Sequence, residues 1–184
     1  KDGTPATAAQ LQANPSDAFI ADLHTYGTSF KTRWTTVHSG APAAFDATAA
    51  AKAANATPLK RPENGVFRPG TDFKQFYFTE TGDTSATSTL PGAFGGVFRL
   101  SQSGPSAATG TITIAAVGDV AHTGLDNISF LTKDDLLVVE DAGDGLHQQR
   151  NALDSGYLYN LATPKNDKGK GKKKAPKAVR WLAE

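Results

Sequence analysis

Two stretches of this chain repeat each other, and each begins with an acidic residue followed by an asparagine. The pairs are Glu63 with Asn64 and Asp126 with Asn127, and the two asparagines are 63 positions apart. Further apolar runs follow at nearly the same offset, at 76–83 and 96–100 in the first copy and at 137–144 and 156–159 in the second. A repeat of this length built of short strands is typical of a β-propeller blade. The sequence therefore predicts an all-β chain with about two four-stranded blades, near 61–117 and 125–184.

The predicted blades are too few to close a propeller, which has roughly four blades or more. The chain is therefore predicted to be a segment of a larger propeller that another segment or chain completes. Residues 1–30 are predicted to form an N-terminal extension, and residues 31–184 the propeller segment. Near the N-terminus the pattern predicts a short helix from residue 18, a strand at 33–37, and a helix of roughly three turns in the Ala-rich run that ends at residue 56.

The composition narrows the classes of protein to which the chain can belong. Cys and Met are both absent, which excludes disulfides and thiolate metal sites within this sequence. The abundance of Ala, Thr, Gly and Ser favours an exported bacterial protein, placed in the periplasm, outside the cell or at its surface. No apolar run approaches the roughly 18 residues that a membrane helix needs, so no membrane span is predicted.

The formal charge of +1 hides an uneven distribution. A Lys-rich tract at 165–177 holds seven lysines and one aspartate, which leaves 12 of the 19 basic side chains against 17 of the 18 acidic ones elsewhere. Gly and mutually repelling ammonium groups predict a solvated loop for this tract. It has no aromatic neighbours that could stack on bases, so no nucleic-acid partner is predicted. The acidic remainder favours the binding of cations.

The segment Arg61-Pro62-Glu63 carries the sharpest chemical signal. Pro62 fixes its own φ and favours an extended conformation at Arg61, so the two charged side chains are predicted to project in defined directions. A Glu that enters an innermost strand would point to the propeller axis, where a carboxylate needs a partner or a cation. Asp126 is the matching carboxylate of the second repeat, and hard oxygen ligands suit Ca²⁺ or Mg²⁺. Glu63 and Asp126 are therefore predicted metal ligands, unless Arg61 and Glu63 instead form an ion pair that closes a blade.

Other polar residues give weaker signals. Glu80 and Glu140 each end a predicted strand, and only one of Glu140 and Asp141 can face the channel because neighbouring strand residues alternate. Solubility of the strand end and turn capping near Gly143 are the favoured interpretation for these acids. His122 lies four residues before Asp126, which would allow a place near the channel mouth, but a solvated loop histidine is the favoured interpretation. None of the four histidines has the spacing of a zinc site, and serine-triad and phosphate-loop motifs are absent.

Two segments resemble a known family. Residues 56–63, which read A-T-P-L-K-R-P-E, resemble the segment with Arg-Pro-Glu in PhoX-type alkaline phosphatases. Residues 126–141, which begin D-N and end L-L-V-V-E-D, resemble a second segment of that family. The resemblance covers roughly residues 30–184. Two departures are Asn64, where the family has an acidic residue, and Leu125, where it has proline.

The resemblance implies a function and a set of site residues. Members are exported β-propeller phosphomonoesterases that hold several calcium ions in the central channel, with iron in characterised cases. By this resemblance Glu63 and Asp126 match calcium ligands, and Arg61 matches an arginine that contacts the phosphate. The remaining ligands of the family, among them a Cys, come from other blades, so this chain is expected to carry part of a site.

The predicted function is therefore that of an exported, calcium-dependent phosphomonoesterase that acts on a phosphate monoester. The alternative is a non-catalytic, calcium-stabilised propeller that serves as a secreted or surface-bound binding module. A third interpretation is a propeller hydrolase of another ester class, such as a lactonase or a phytase-like enzyme. The arginine beside Glu63 favours an anionic phosphoryl substrate over that third class.

Overall fold

The computed structural model of the protein describes residues 18–40, 44–82, 91–141, 154–162 and 175–183. These residues form two short helices, α1 (Ala18–Leu23) and α2 (Ala47–Ala53), and a set of antiparallel strands. The strands are β1 (Ser29–Arg33), β2 (Pro62–Phe67), β3 (Gln75–Glu80), β4 (Gly96–Gln102), β5 (Thr109–Val117), β6 (Leu125–Phe130), β7 (Asp135–Glu140), β8 (Ser155–Asn160) and β9 (Ala178–Ala183). The predicted all-β class is confirmed.

The strands form two sheets, and each sheet contains a four-stranded meander. The first sheet has the order β1-β5-β4-β3-β2 and the second has the order β6-β7-β8-β9. Every neighbouring pair is antiparallel, so β2 to β5 and β6 to β9 are two four-stranded meanders that follow each other along the chain. The meanders occupy the two stretches that the sequence repeat predicts as separate sheets.

The N-terminal region differs from the prediction in one strand. The predicted strand at 33–37 is wrong, because β1 spans Ser29–Arg33 and the chain leaves the sheet at Trp34. The reason is burial: Phe30 packs into the core opposite Ile112, whereas Trp34 is exposed. Because β1 pairs with β5, the first sheet has five strands rather than the predicted four.

Both predicted helices exist, and the second is shorter than expected. The prediction of roughly three turns is wrong for α2, which has seven residues, begins after Asp46 and ends before Asn55, whose φ is +52°. The Asp46 carboxylate accepts a hydrogen bond from the Ala49 amide and caps the helix. None of the helix residues is buried. The small alanine side chains of α2 do not form an apolar face that could pack against the rest of the protein. Tertiary packing therefore does not lengthen the helix.

Two apolar clusters cover opposite faces of the first sheet. The cluster between the sheets includes Tyr77 and Val97 from the first sheet and Val138 and Tyr157 from the second. On the other face of the first sheet, α1 packs through Leu23, in a cluster with the following residues: Phe30, Phe98, Ile112 and Ile114. The first sheet is therefore enclosed between α1 and the second sheet.

Several predictions fall wholly or partly outside the described residues. The Lys-rich tract is described only from residue 175 onward, and the predicted turn near Gly143 lies outside the described residues. In the parts of the chain that the structure describes, no helix is both long and apolar enough to cross a membrane.

Candidate functional site

The predicted ligand Glu63 lies in a β-bulge of the first sheet. Pro62 pairs with Glu80 and Gly65 pairs with Phe78, so Glu63 and its neighbour together face a single residue of β3. Two residues opposite one is the defining geometry of a bulge, which bends the strand and turns side chains away from the ladder. Glu63 is exposed there.

The second sheet repeats this bulge at the equivalent position. Leu125 pairs with Glu140 and Ile128 pairs with Val138, so Asp126 and its neighbour also face one residue of the adjacent strand. Asp126 is half-buried. The acidic-Asn pair that marks each repeat in the sequence is therefore the bulged pair in each sheet. Glu63 and Asp126 occupy the same place in the two sheets.

The two bulges meet at the junction between the sheets. The Asn64 Nδ2 donates a hydrogen bond to the Asn127 Oδ1 at 2.7 Å. The Thr79 hydroxyl, which is fully buried, contacts the backbone carbonyl of Asp126 and lies 3.2 Å from the carbonyl of Asn64. Thr79 is the β3 residue opposite the first bulge. One buried hydroxyl therefore contacts both bulges and fixes their separation.

Arg61 lies directly before β2 in a left-handed conformation, so the predicted extended conformation is wrong. Its φ is +57°, a conformation that is uncommon for residues other than glycine, and its carbonyl accepts a hydrogen bond from the Thr81 amide. The equivalent position of the second sheet is Gly124, whose carbonyl accepts from the Asp141 amide. The Arg61 guanidinium forms an ion pair of 3.5 Å with the Asp141 carboxylate, and both side chains are partly exposed. Arg61 therefore bridges the two repeats beside the bulges.

The acids that end the second strand of each sheet have a structural role. Glu80 is fully buried and its carboxylate accepts the Lys60 amide, in the loop that leads into β2. Glu140 is buried too, and its two oxygens accept the amides of Thr123 at 3.1 Å and Ser155 at 2.9 Å. The interpretation of these two acids as solubilising strand ends is therefore wrong. Each buried carboxylate instead holds the loop before a bulge, because a buried charge requires hydrogen-bond partners.

His24 is a structural partner of Glu80 that the sequence did not indicate. Its Nε2 lies 2.7 Å from the Glu80 Oε2 and its Nδ1 lies 2.8 Å from the Ile20 carbonyl. Burial disfavours the charged imidazole, but the hydrogen bond to Glu80 and its negative charge outweigh burial and raise the pKa of His24 above the usual 6.5. Both ring nitrogens face acceptors, and only the doubly protonated ring can donate to both.

His122 lies in a tight turn that its neighbour Asp119 organises. The Asp119 carboxylate accepts from the backbone amides of Ala121 and His122 and lies 2.9 Å from the His122 Nδ1. The imidazole also packs edge-on against Tyr157, with ring centroids 4.8 Å apart. His122 thus lies in the loop between β5 and β6, as expected, but it is half-buried rather than solvated.

The donor types at the paired bulges suit calcium, but their number is small. Glu63 and Asp126 offer carboxylate oxygens, which calcium prefers, and it takes roughly six to eight oxygen ligands. Within the described ranges, no group of three or more His, Cys, Asp or Glu side chains is arranged to hold a metal ion. The described residues therefore supply at most a part of a calcium coordination shell.

Comparison of the chain with protein-family models, with curated proteins and with solved structures gave no match.

Proposed function

We propose that this chain is part of an exported, calcium-dependent phosphomonoesterase whose two sheets are successive blades of a β-propeller. The observation that carries the proposal is the meeting of two equivalent bulges through Asn64 and Asn127, with a carboxylate directly before each asparagine. Equivalent positions of successive propeller blades surround one axis. Glu63 and Asp126 would then be neighbours in a ring of carboxylates.

The proposed roles follow from the chemistry of each side chain. Glu63 and Asp126 would bind Ca²⁺ through their carboxylates, with the rest of the coordination shell from the remainder of the propeller. The bound cations would neutralise the charge of a phosphate monoester and lower the pKa of a bound water. Iron, as a further metal, rests on the family resemblance alone.

Arg61 would bind the phosphoryl group of the substrate. A guanidinium presents parallel N–H donors that match two phosphate oxygens, and it would stabilise the charge of the transition state. The left-handed backbone at Arg61 and its ion pair with Asp141 hold the side chain beside the bulges. Substrate phosphate would compete with the Asp141 carboxylate for the guanidinium.

The test is hydrolysis of an aryl phosphate by the protein that contains this chain, before and after EDTA, with Ca²⁺ or Mg²⁺ added back. We expect activity to disappear with EDTA and to return with Ca²⁺. The Glu63→Gln variant should require more Ca²⁺ for half-maximal activity. Asp72→Asn, which neutralises an exposed carboxylate in the β2–β3 turn, is the matched control and should not change the requirement. Absence of activity in the calcium-loaded protein would refute the proposal.

The alternative is a calcium-stabilised propeller without catalysis, which serves as a secreted or surface-bound module. It is favoured by the ion pair between Arg61 and Asp141, because a structural partner already engages the guanidinium. In that case Ca²⁺ would raise the melting temperature of the protein, whereas aryl phosphate would not be hydrolysed. Calorimetry with Ca²⁺ and the activity assay together distinguish the two functions.

A further inference from the structure

The two sheets stack so that a face of one kind on the first sheet contacts a face of the other kind on the second sheet. We call this arrangement head to tail. The front face of each sheet is defined as the one that carries Tyr77 in the first sheet and Leu137 in the second, and the back face is the opposite one. Tyr77, on the front of the first sheet, packs edge-on against Phe130, on the back of the second, with ring centroids 5.2 Å apart. Such an interface can repeat, because each sheet has one face of each kind.

The front face of the second sheet has an apolar area beside the polar pair Asp135 and Asn160. A Cβ atom placed on Gly156 would lie 3.5–3.7 Å from atoms of Leu137, Val139 and Leu182, so these side chains share one face. Val179 continues this face along the edge strand β9. Leu182 and Val179 are exposed. This face is equivalent to the front face of the first sheet, which packs against the second sheet.

The back face of the first sheet has an aromatic patch that α1 does not cover. The patch consists of Phe67, Phe73 and Phe76, in which the Phe67 ring lies 5.2 Å from the Phe73 ring and 5.0 Å from the Phe76 ring. Phe67 is 45% exposed and Phe73 is 62% exposed. Phe67 ends β2 as Phe130 ends β6, and Phe130 is the residue that packs against Tyr77. The patch is therefore equivalent to the surface of the second sheet that faces the first.

We propose that a second copy of this chain docks the front face of its second sheet on the aromatic patch of the first. The two free faces of one molecule are equivalent to the two faces that meet between its own sheets. One molecule therefore carries both surfaces of such an interface. Complementary surfaces at opposite ends of a molecule produce head-to-tail association, which closes into a ring where the rotation allows it. The proposal depends on the repeat geometry and does not require phosphatase activity.

A pair of exposed apolar residues lies at the rim of the proposed contact. Between the sheets of one molecule, the Arg68 guanidinium donates to the Lys133 carbonyl and forms an ion pair of 2.5 Å with Asp134. The paired strands define the equivalent positions: Leu131 corresponds to Arg68, Phe73 to Lys133 and Lys74 to Asp134. Leu131 is 51% exposed. The contact between copies would thus bring Leu131 and Phe73 together where one molecule has the ion pair of Arg68 with Asp134.

Head-to-tail association would also extend the junction of the bulges. The amide of Asn127 in one copy would approach Asn64 of the next, as Asn64 approaches Asn127 within the molecule. The carboxylates of Glu63 and Asp126 from both copies would then surround a common axis, and the partner copy would supply ligands that the single chain lacks.

The test is sedimentation velocity of the full 184-residue chain over a range of concentrations. As the concentration increases, we expect the mass of the sedimenting wild-type species to rise from 19.2 kDa to about two or more times that value. Phe73→Glu and Leu131→Glu should each remain monomeric. Mixed together they should form a one-to-one heterodimer, because each variant keeps the half that the other lacks. The control Val120→Glu changes an exposed apolar residue in the turn between β5 and β6 and should associate as the wild type does.

A charge exchange tests the pairing of the two residues. The double variant Phe73→Glu with Leu131→Arg should associate again, and salt should weaken it, because an ion pair would replace the apolar contact. Circular dichroism checks that each variant is folded. A wild-type chain that is monomeric at every concentration would overturn the proposal. So would variants that associate alone, or two variants that fail to combine when mixed.

Discussion

Asn64 and Asn127 occupy the same position in two successive repeats and hydrogen-bond each other, Nδ2 to Oδ1, at 2.7 Å. The contact joins two β-bulges that the chain forms independently, one in each sheet. Equivalent residues meet because the sheets pack head to tail, so the junction is a direct consequence of the repeat. This junction lies next to both predicted metal ligands, Glu63 and Asp126.

The asparagine pair should contribute modestly to stability. Both side chains are exposed, so Asn64→Ala or Asn127→Ala should lower the free energy of unfolding by about 0.5–1 kcal/mol. The double variant should cost less than the sum, because the first change already removes the hydrogen bond. Urea unfolding of the four proteins measures this coupling. Strictly additive losses would mean that the two side chains do not interact in solution.

Thr79 should matter more than either asparagine. Thr79→Val keeps the shape of a fully buried side chain but removes the hydroxyl that contacts the carbonyls of Asp126 and Asn64. We expect a loss of about 1–3 kcal/mol, because a partly buried carbonyl then lacks its donor. Thr79→Ser retains the hydroxyl and is the matched control. If the serine variant lost as much stability as the valine variant, the methyl group rather than the hydroxyl would be responsible.

The two neighbouring acids at the end of β7 should differ sharply. Glu140→Ala removes a buried carboxylate that accepts two backbone amides, and should cost on the order of 3 kcal/mol. Asp141→Ala removes only a partly exposed ion pair with Arg61, and should cost about 0–1 kcal/mol. Thermal unfolding of both variants provides the comparison. Similar losses for the two would contradict the structural role assigned to Glu140.

The ion pair between His24 and Glu80 should make stability depend on pH. Because the pKa of His24 is raised in the folded state, its contribution is complete below the unfolded pKa of about 6.5 and disappears as the pH rises through the folded pKa. The free energy of unfolding should therefore fall as the pH rises above about 6.5. Urea titrations across this range measure the slope.

Two variants identify the source of that slope. His24→Gln removes the titrating group, and Glu80→Gln removes the carboxylate that raises its pKa, so each should flatten the decline of stability with pH. Both variants should also be less stable than the wild type at the acidic end of the range. A decline that persists in both would show that another group titrates.

Arg61 provides the kinetic prediction. If it binds the phosphoryl group, Arg61→Ala should lower kcat/KM by about 10²–10³-fold, and Arg61→Lys should restore only a part of it, because an ammonium cannot donate in the parallel bidentate geometry. Asp141→Ala, which removes the partner of Arg61, should not cause a comparable loss. An Arg61→Ala enzyme with the wild-type kcat/KM would exclude this role.

The repeat was readable from the sequence because it rests on local patterns. The apolar run at 76–83 overlaps β3 at Gln75–Glu80, and both bulges fall on the acidic-Asn pairs that mark the repeats. The equivalence of Glu63 and Asp126 was also predictable, since a bulge is set by one strand and its hairpin neighbour. Their role as ligands and that of Arg61 as a phosphate contact stay predictions.

The partners of the buried polar groups were not predictable in the same way. Glu80 and Glu140 end equivalent strands, a repetition that could have indicated a common structural role. Nothing near His24 in the sequence pointed to Glu80, which is 56 residues away. Likewise, the fifth strand of the first sheet depends on the burial of Phe30 opposite Ile112.

The sequence by itself thus determined the repeat and the strands of the two meanders, because alternation and turn residues act over a few neighbouring positions. Only the tertiary structure decided that Arg61 pairs with Asp141, that Glu80 binds His24, and that the sheets stack head to tail. A buried charge forms hydrogen bonds with the groups that packing places within reach. Which groups these are depends on the whole fold rather than on neighbours in the chain.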